Sequence, residues 1–288
     1  MLVGINPETV DKRIEPSYKA VDISTEVIKQ GGVLVFPWGR LERRCLAFMC
    51  DAGNPDACQR VNNIKNRPPT KVLAVNGYPE LIAGVARIED SRPLRMAAER
   101  LRTEPLTVLR MLMARGAISF IFEAKEGLPE TVTTQQDGQV TIMIAGETDN
   151  TAGFDFYTEL VRKLHHGGII TAGSSANRTT EGTYNVFQQE EAFRDLEPDV
   201  DLFIFHKPLP PRPHHAFNLE SCTTFDMRVA GDRPQVVRFG SVNPLRFRGL
   251  IGGYTVSKKA QYLPRHEKIL HILMKYPFYL MESFSRTA

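Results

Sequence analysis

Three cations fall within seven residues, at Lys65, Arg67 and Lys71 of the segment Ile64-Lys65-Asn66-Arg67-Pro68-Pro69-Thr70-Lys71. Pro68 and Pro69 stiffen the intervening loop. Cations fixed on a short rigid loop can grip a polyphosphate from several sides, Arg67 through a planar fork and the lysines as point charges. The plain alternative is a solvated helix end, where the dipole favours cations. A second segment, Gly167 to Asn177 (GGIITAGSSAN), runs from a predicted strand into a turn of small residues with hydroxyls and one amide. Gly173 and its small neighbours let a ligand approach the backbone. Ser175 and Asn177 sit two apart, so an extended chain points both at one ligand. Loops at the carboxyl ends of strands are the usual ligand sites of α/β proteins. The plain alternative here is a turn whose Ser and Asn cap the next element. Taken alone, each segment favours its plain reading. Neither a Gly-x4-Gly-Lys-Ser/Thr loop nor a Gly-x-Gly-x-x-Gly turn occurs, so the standard phosphate and dinucleotide fingerprints are excluded.

The elements that must position these residues read as an α/β pattern. Ser17–Gln30 is an amphipathic helix stopped by Gly31-Gly32, and Gly32–Phe36 is a buried strand ended by Pro37. Residues 55–65 are helical with Pro55 near the start, and Lys71–Val75 is a strand. Arg92–Ala114 is helical and interrupted at Pro105. Ile118–Phe122 and Val140–Ala145 are strands, Phe154–His165 a helix, and Gly168–Thr171, Leu202–Phe205 and Val236–Phe239 further strands, the last closing the core. Interleaved elements of this kind argue for a sheet covered by helices. Lys207–His215 holds four prolines and forms a stiff loop or lid. Lys258–Leu280 reads as a basic amphipathic helix docked on the core.

Composition bounds the rest. The 288 residues are 42% hydrophobic and 24% charged, ordinary globular usage with one large domain and appendages. No apolar run approaches a membrane span, and the first residues lack a secretion-signal layout. Cys45, Cys50, Cys58 and Cys222 are too few for a disulfide scaffold, which suits a reducing, cytoplasmic setting. A net charge of +3 is mild for a nucleic-acid binder. The cysteines lack zinc-finger spacing, His206, His214 and His215 flank the proline-rich loop without a defined ligand set, and His165-His166 suit a helix end. No metal site is assigned.

The two clusters together, with four further segments in order, resemble the YrdC family. Helix Ser17–Gln30 and the segment GGVLVFP at 31–37 look like its opening, and Cys50-Asp51-Ala52 follows as expected. Lys65, Arg67, Pro68 and Lys71 resemble its K-x-R-P motif with a further lysine, and Ser175-Ala176-Asn177 its S-x-N motif. Ser221-Cys222-Thr223-Thr224-Phe225-Asp226 resembles a Ser/Thr-rich segment ending in aspartate, and Arg238-Phe239-Gly240 an R-x-G. The resemblance covers residues 17–245, leaving a 1–16 extension and a helical extension at 246–288.

It implies a twisted, mixed α/β sheet with flanking helices and a concave basic ligand site. It implies synthesis of a threonylcarbamoyl-adenylate from an amino acid, bicarbonate and ATP, with Mg2+ accompanying the phosphates, in the service of tRNA modification. Lys65 and Arg67 would act on the reacting phosphates. Lys71, Ser175, Asn177 and Arg238 would complete the nucleotide site, and Ser119 and Thr223 would lie on the substrate side.

The departures lie on the acceptor side. The family's PTET-type loop is replaced by Pro37-Trp38-Gly39-Arg40-Leu41-Glu42-Arg43-Arg44-Cys45, and its Pro-Gly-Pro-Leu-Thr segment by Ala114-Arg115-Gly116-Ala117-Ile118-Ser119. Its arginine in Val-Arg-x-Pro is replaced by Met143. Trp38, Arg40 and Arg43 can bind an acidic or planar acceptor, or can simply face water. The expectation is that L-threonine is not the natural acceptor, or not the best one. Ordinary threonylcarbamoyl-adenylate synthesis is the default version, beside a diverged version that uses another amine in specialised metabolism. A non-catalytic nucleotide- or RNA-binding module and a regulatory partner docking through the C-terminal helix remain as alternatives.

Overall fold

The structure is a computed structural model. It describes residues 12–38, 45–116, 118–146, 155–178, 184, 188–205, 222–240 and 244–261. The strands are β1 (Arg13–Ile14), β2 (Leu34–Trp38), β3 (Cys45–Asp51), β4 (Ala74–Gly77), β5 (Ile118–Glu123), β6 (Thr133–Gln136), β7 (Gln139–Gly146), β8 (Thr171–Ser175), β9 (Leu202–Ile204), β10 (Thr223–Asp226), β11 (Gln235–Arg238) and β12 (Thr255–Gln261). The helices are α1 (Tyr18–Lys29), α2 (Pro55–Ile64), α3 (Pro79–Val85), α4 (Arg92–Leu101), α5 (Pro105–Met113), α6 (Phe156–His166), α7 (Gln189–Leu196) and the single turn α8 (Arg248–Ile251). All twelve strands join one mixed sheet in the order β1-β9-β2-β3-β8-β4-β7-β5-β10-β11-β12, with β6 paired to β7. The mixed α/β sheet with flanking helices is therefore the observed fold.

Local chemistry explains the ends of the elements that matter. Ser17 caps α1 by accepting from the Ala20 N–H, and Ala20, Val21, Val27 and Ile28 form its buried face. Asn54 caps α2 by accepting from the Ala57 N–H at 3.1 Å, and Pro55 starts it without wasting a donor. At its far end Asn66 takes φ +48, reversing the chain so that the Arg67 N–H reaches the Asn62 carbonyl at 2.9 Å. The Asn62 amide then donates to the Pro69 and Lys71 carbonyls. A helix end, a left-handed residue and an internal amide strut thus hold the loop of three cations.

Several sequence expectations are corrected. Pro37 lies inside β2, opposite Leu46, and does not end it. The pairing of β2 with β9 covers only Leu34 and Val35, so the missing N–H of Pro37 falls where that neighbour has stopped. The strand expected at Gly168–Thr171 is β8, four residues later at its far end, and it takes in Gly173, Ser174 and Ser175. A Cβ on Gly173 would stand 2.2 Å from the Phe48 carbonyl, so close strand approach overrides the turn propensity of these small residues. The strand expected at Lys71–Val75 starts at Ala74, because Lys71 still belongs to the strutted loop. Val236–Phe239 is not the last strand, since β12 pairs in parallel with β11. Lys258 to Gln261 are extended, not helical, for the same reason, and the rest of the expected helix lies outside the described residues. The proline-rich loop 207–215 also lies outside them. No helix among the described residues is long and apolar enough to cross a membrane.

Candidate active site

Lys65 follows α2 directly and is fully buried. Its ammonium donates to the Ser175 carbonyl and to Asn177 Oδ1, both at 2.5 Å, and to the Asn177 carbonyl at 3.0 Å. Ser175 Oγ lies 3.5 Å away and donates to Asn177 Oδ1 at 2.8 Å. The K-x-R and S-x-N segments, 110 residues apart in the chain, therefore meet around one nitrogen. Two effects compete there. Burial, helped by the positive charge of Arg67, pulls the Lys65 pKa down to about 7. The surrounding oxygens favour the charged form, because an ammonium has three donors to place.

Arg67 donates through Nη1 to Ser174 Oγ at 3.0 Å. Its pKa is lowered, first by burial and then by the charge of Arg238. Two arginines close enough for one to lower the other's pKa, beside a buried lysine, form a site that an anion would relax. Lys71 is exposed, and its backbone is engaged, its N–H on the Pro68 carbonyl and its carbonyl on Asn62. Among the described residues no hydrogen bond joins its ammonium to the Lys65 cage.

Arg238 stands at the end of a row that crosses five adjacent strands. Asn76 pairs with Ala145, Ala145 with Ser119, Ser119 with Thr224, and Thr224 with Arg238. Side chains paired across a sheet share a face, so the row lines up an amide, two hydroxyls and a guanidinium. Ser119 is buried in this row. Thr224 lies in the row, and Thr223, its neighbour expected on the substrate side, does not. The Thr223 hydroxyl instead accepts the Gly240 N–H at 3.1 Å, holding the chain just after Arg238. Asn76 was missed by the sequence reading. It is 5% exposed, and its Nδ2 donor is buried without a partner among the described residues. A lone amide directly after the apolar run Val72 to Val75 was the available signal.

Trp38, expected in the acceptor loop, is the last residue of β2. It is 7% exposed, and its indole N–H is buried without a partner among the described residues. Unpaired buried donors are rare in native proteins and call for an explanation at each site. Arg40 and Arg43 lie outside the described residues. Met143 pairs with Ile121 and places an apolar thioether in β7 where a cation was sought. A second missed feature is the Asp226–Arg228 pair, a two-point ion pair at 2.6 and 2.9 Å that pins the end of β10. Among the described residues no three His, Cys, Asp or Glu side chains cluster to hold a metal ion.

Comparison with known proteins follows from this geometry. A family model for Sua5, YciO and YrdC proteins, described as "Telomere recombination", matches residues 26–214. The chain belongs to the Sua5/YciO/YrdC family. Two structures of P. abyssi Sua5 share the fold. A double variant superposes with a TM-score of 0.59 at 15% identity, covering 85% of this chain and 65% of that one. The complex with L-threonine gives 0.57 at 16% identity, covering 85% and 61%. E. coli YciO gives 0.54 at 18% identity, covering 78% of this chain and 92% of its own. The match thus spans slightly less than two thirds of the Sua5 chains. At these identities the structural likeness establishes the fold, and the family model establishes the family, both of which the six ordered segments of sequence had implied. No curated protein shows significant sequence similarity to the chain.

Proposed function

We propose that this family member is an ATP-dependent synthase of a carbamoyl- or carboxyamino-adenylate, using bicarbonate and an amine other than L-threonine. The single observation that carries the reading is the assembly of Lys65 and Arg67 around Ser174, Ser175 and Asn177, with Arg238 near enough to lower the pKa of Arg67. Such a cluster suits the oxygens of a polyphosphate, and catalysis of this class rests on positioning and charge neutralisation. In the reaction, the amine nitrogen forms a bond to the bicarbonate carbon and water is lost. A carbamate oxygen then attacks the α-phosphorus of ATP, and the bond to pyrophosphate breaks. In this reading Mg2+ arrives on the triphosphate, as magnesium commonly does, and no step is drawn through it.

The acceptor side supports a changed substrate. P. abyssi Sua5 has been crystallised with L-threonine. Here Trp38 fills the end of β2, and among the described residues the Asn76 and Trp38 donors lack partners. An indole N–H can only donate, so in this reading it meets an acceptor oxygen of the amine substrate. The test is pyrophosphate release from ATP and bicarbonate across a panel of amines. Release with an amine other than threonine is expected. Saturable, threonine-preferring release refutes the acceptor assignment. ATP or RNA binding without release under any condition favours a binding module and refutes the synthase reading.

A further inference from the structure

Arg178 immediately follows Asn177 and is not part of the cage around Lys65. Its guanidinium spans three pieces of the chain. Nε donates to Asp195 Oδ1 at 3.1 Å, and Nη2 to the Asp195 carbonyl at 3.0 Å and to Asp199 Oδ2 at 2.7 Å. Nη1 reaches the carbonyl of Ile64, the last residue of α2, at 3.5 Å. Asp195 is held in turn by the Tyr184 hydroxyl at 3.0 Å. The Tyr184 carbonyl accepts the Leu46 N–H, and the Leu46 carbonyl accepts the Ala176 N–H, both at 2.8 Å.

These contacts close a ring. Lys65 is the residue after Ile64, and Arg178 is the residue after Asn177. The Lys65–Asn177 contacts form one side of the ring, and the Arg178–Ile64 contact forms the other. A charged fork satisfied on both carboxylates has one low-energy placement, so it holds the backbone that carries it.

We propose that Arg178 is a positioning residue that sets the separation of the K-x-R and S-x-N segments, and through it the desolvation of Lys65 and the grip on nucleotide phosphates. The affinity part rests on the synthase reading above, whereas the effect on Lys65 does not. The group that faces Lys65 with charge is Arg67. Arg178 carries charge of its own, so a neutral substitution alone would mix charge with geometry.

The experiment uses the full chain labelled with 13C-lysine. Wild type, Arg178→Lys and Arg178→Gln are titrated by NMR, with the Lys65 Cε signal assigned by its loss in Lys65→Met. ATP binding is measured on the same proteins by calorimetry. A loosened cage admits water, so the Lys65 midpoint should rise by about one pH unit in both Arg178 variants, including the one that keeps the charge. ATP affinity should fall about tenfold or more. Arg13→Gln, which breaks the Arg13–Glu190 pair at the start of α7, is the control for general loosening. A midpoint that stays put in Arg178→Lys, or one that moves equally in Arg13→Gln, overturns the proposal. A wild type that binds no ATP refutes the nucleotide reading, and the titration still decides the role of Arg178.

Discussion

Replacing Lys65 by methionine tests the buried lysine through stability alone. The thioether keeps much of the apolar stem and removes the proton site. Lys65 titrates at about 7 in the fold, against 10.5 when exposed. Between those values the unfolded chain holds a proton that the folded chain has released. Stability therefore rises with pH across that window, and it is lost as pH falls back towards 7. Below about 7 both states are protonated and the group adds no further slope. Above 10.5 neither is, and the folded chain carries no penalty from it. The slope inside the window is about 1.4 kcal/mol per pH unit, with an upper bound on the order of 5 kcal/mol for the whole window. Other lysines and tyrosines titrate here too, so the informative quantity is the difference between the two proteins. Urea denaturation of both at pH 8, 9 and 10 should show wild type gaining about 1.4 kcal/mol per unit relative to Lys65→Met. A gap that stays constant with pH would mean that Lys65 remains an ordinary ammonium, and the desolvation argument would fall.

Other outcomes follow from the same contacts. Arg67→Met removes a charged hydrogen bond at the phosphate cluster and should weaken ATP binding about 10- to 100-fold in calorimetry, with little change in melting temperature. Gly173→Ala would set a methyl 2.2 Å from the Phe48 carbonyl and 2.9 Å from the Asn76 amide. It should cost about 1–3 kcal/mol or more in a denaturation curve, and an unchanged midpoint would show that β3 and β8 can part freely. Asp226→Asn leaves the Arg228 guanidinium buried without its counter-charge and should cost about 3–5 kcal/mol. A loss under 1 kcal/mol would place Arg228 in water. Asn76→Ala removes a donor that has no partner, so stability should hold while amine-dependent turnover falls.

The two clusters that meet at Lys65 were legible because their chemistry is local. K-x-R and S-x-N each fix residue types on one turn, and their order along the chain, not their contacts, pointed to a shared site. The row through Asn76, Ser119, Thr224 and Arg238 was legible only in pieces. Register between strands far apart in sequence is set by turns and packing that no short window contains. Arg178 gave no signal, because a guanidinium after an S-x-N segment has meaning only once α7 is in place. Trp38 was misplaced for a different reason. Proline usually ends a strand, and nothing local shows that the neighbouring strand β9 has already stopped at that level. The last strand, β12, is polar and basic, and it forms because β11 offers an open edge. Helical periodicity beyond it drew the expectation away from an extended segment.

The most direct test of the account is the product itself. The protein is incubated with ATP, 13C-bicarbonate and the amine that best supports pyrophosphate release, and the mixture is read by mass spectrometry. The account predicts an AMP adduct that carries both the amine and one 13C, absent in Arg67→Met. AMP or ADP formed without a 13C-labelled adduct, at any amine and bicarbonate concentration, would contradict it.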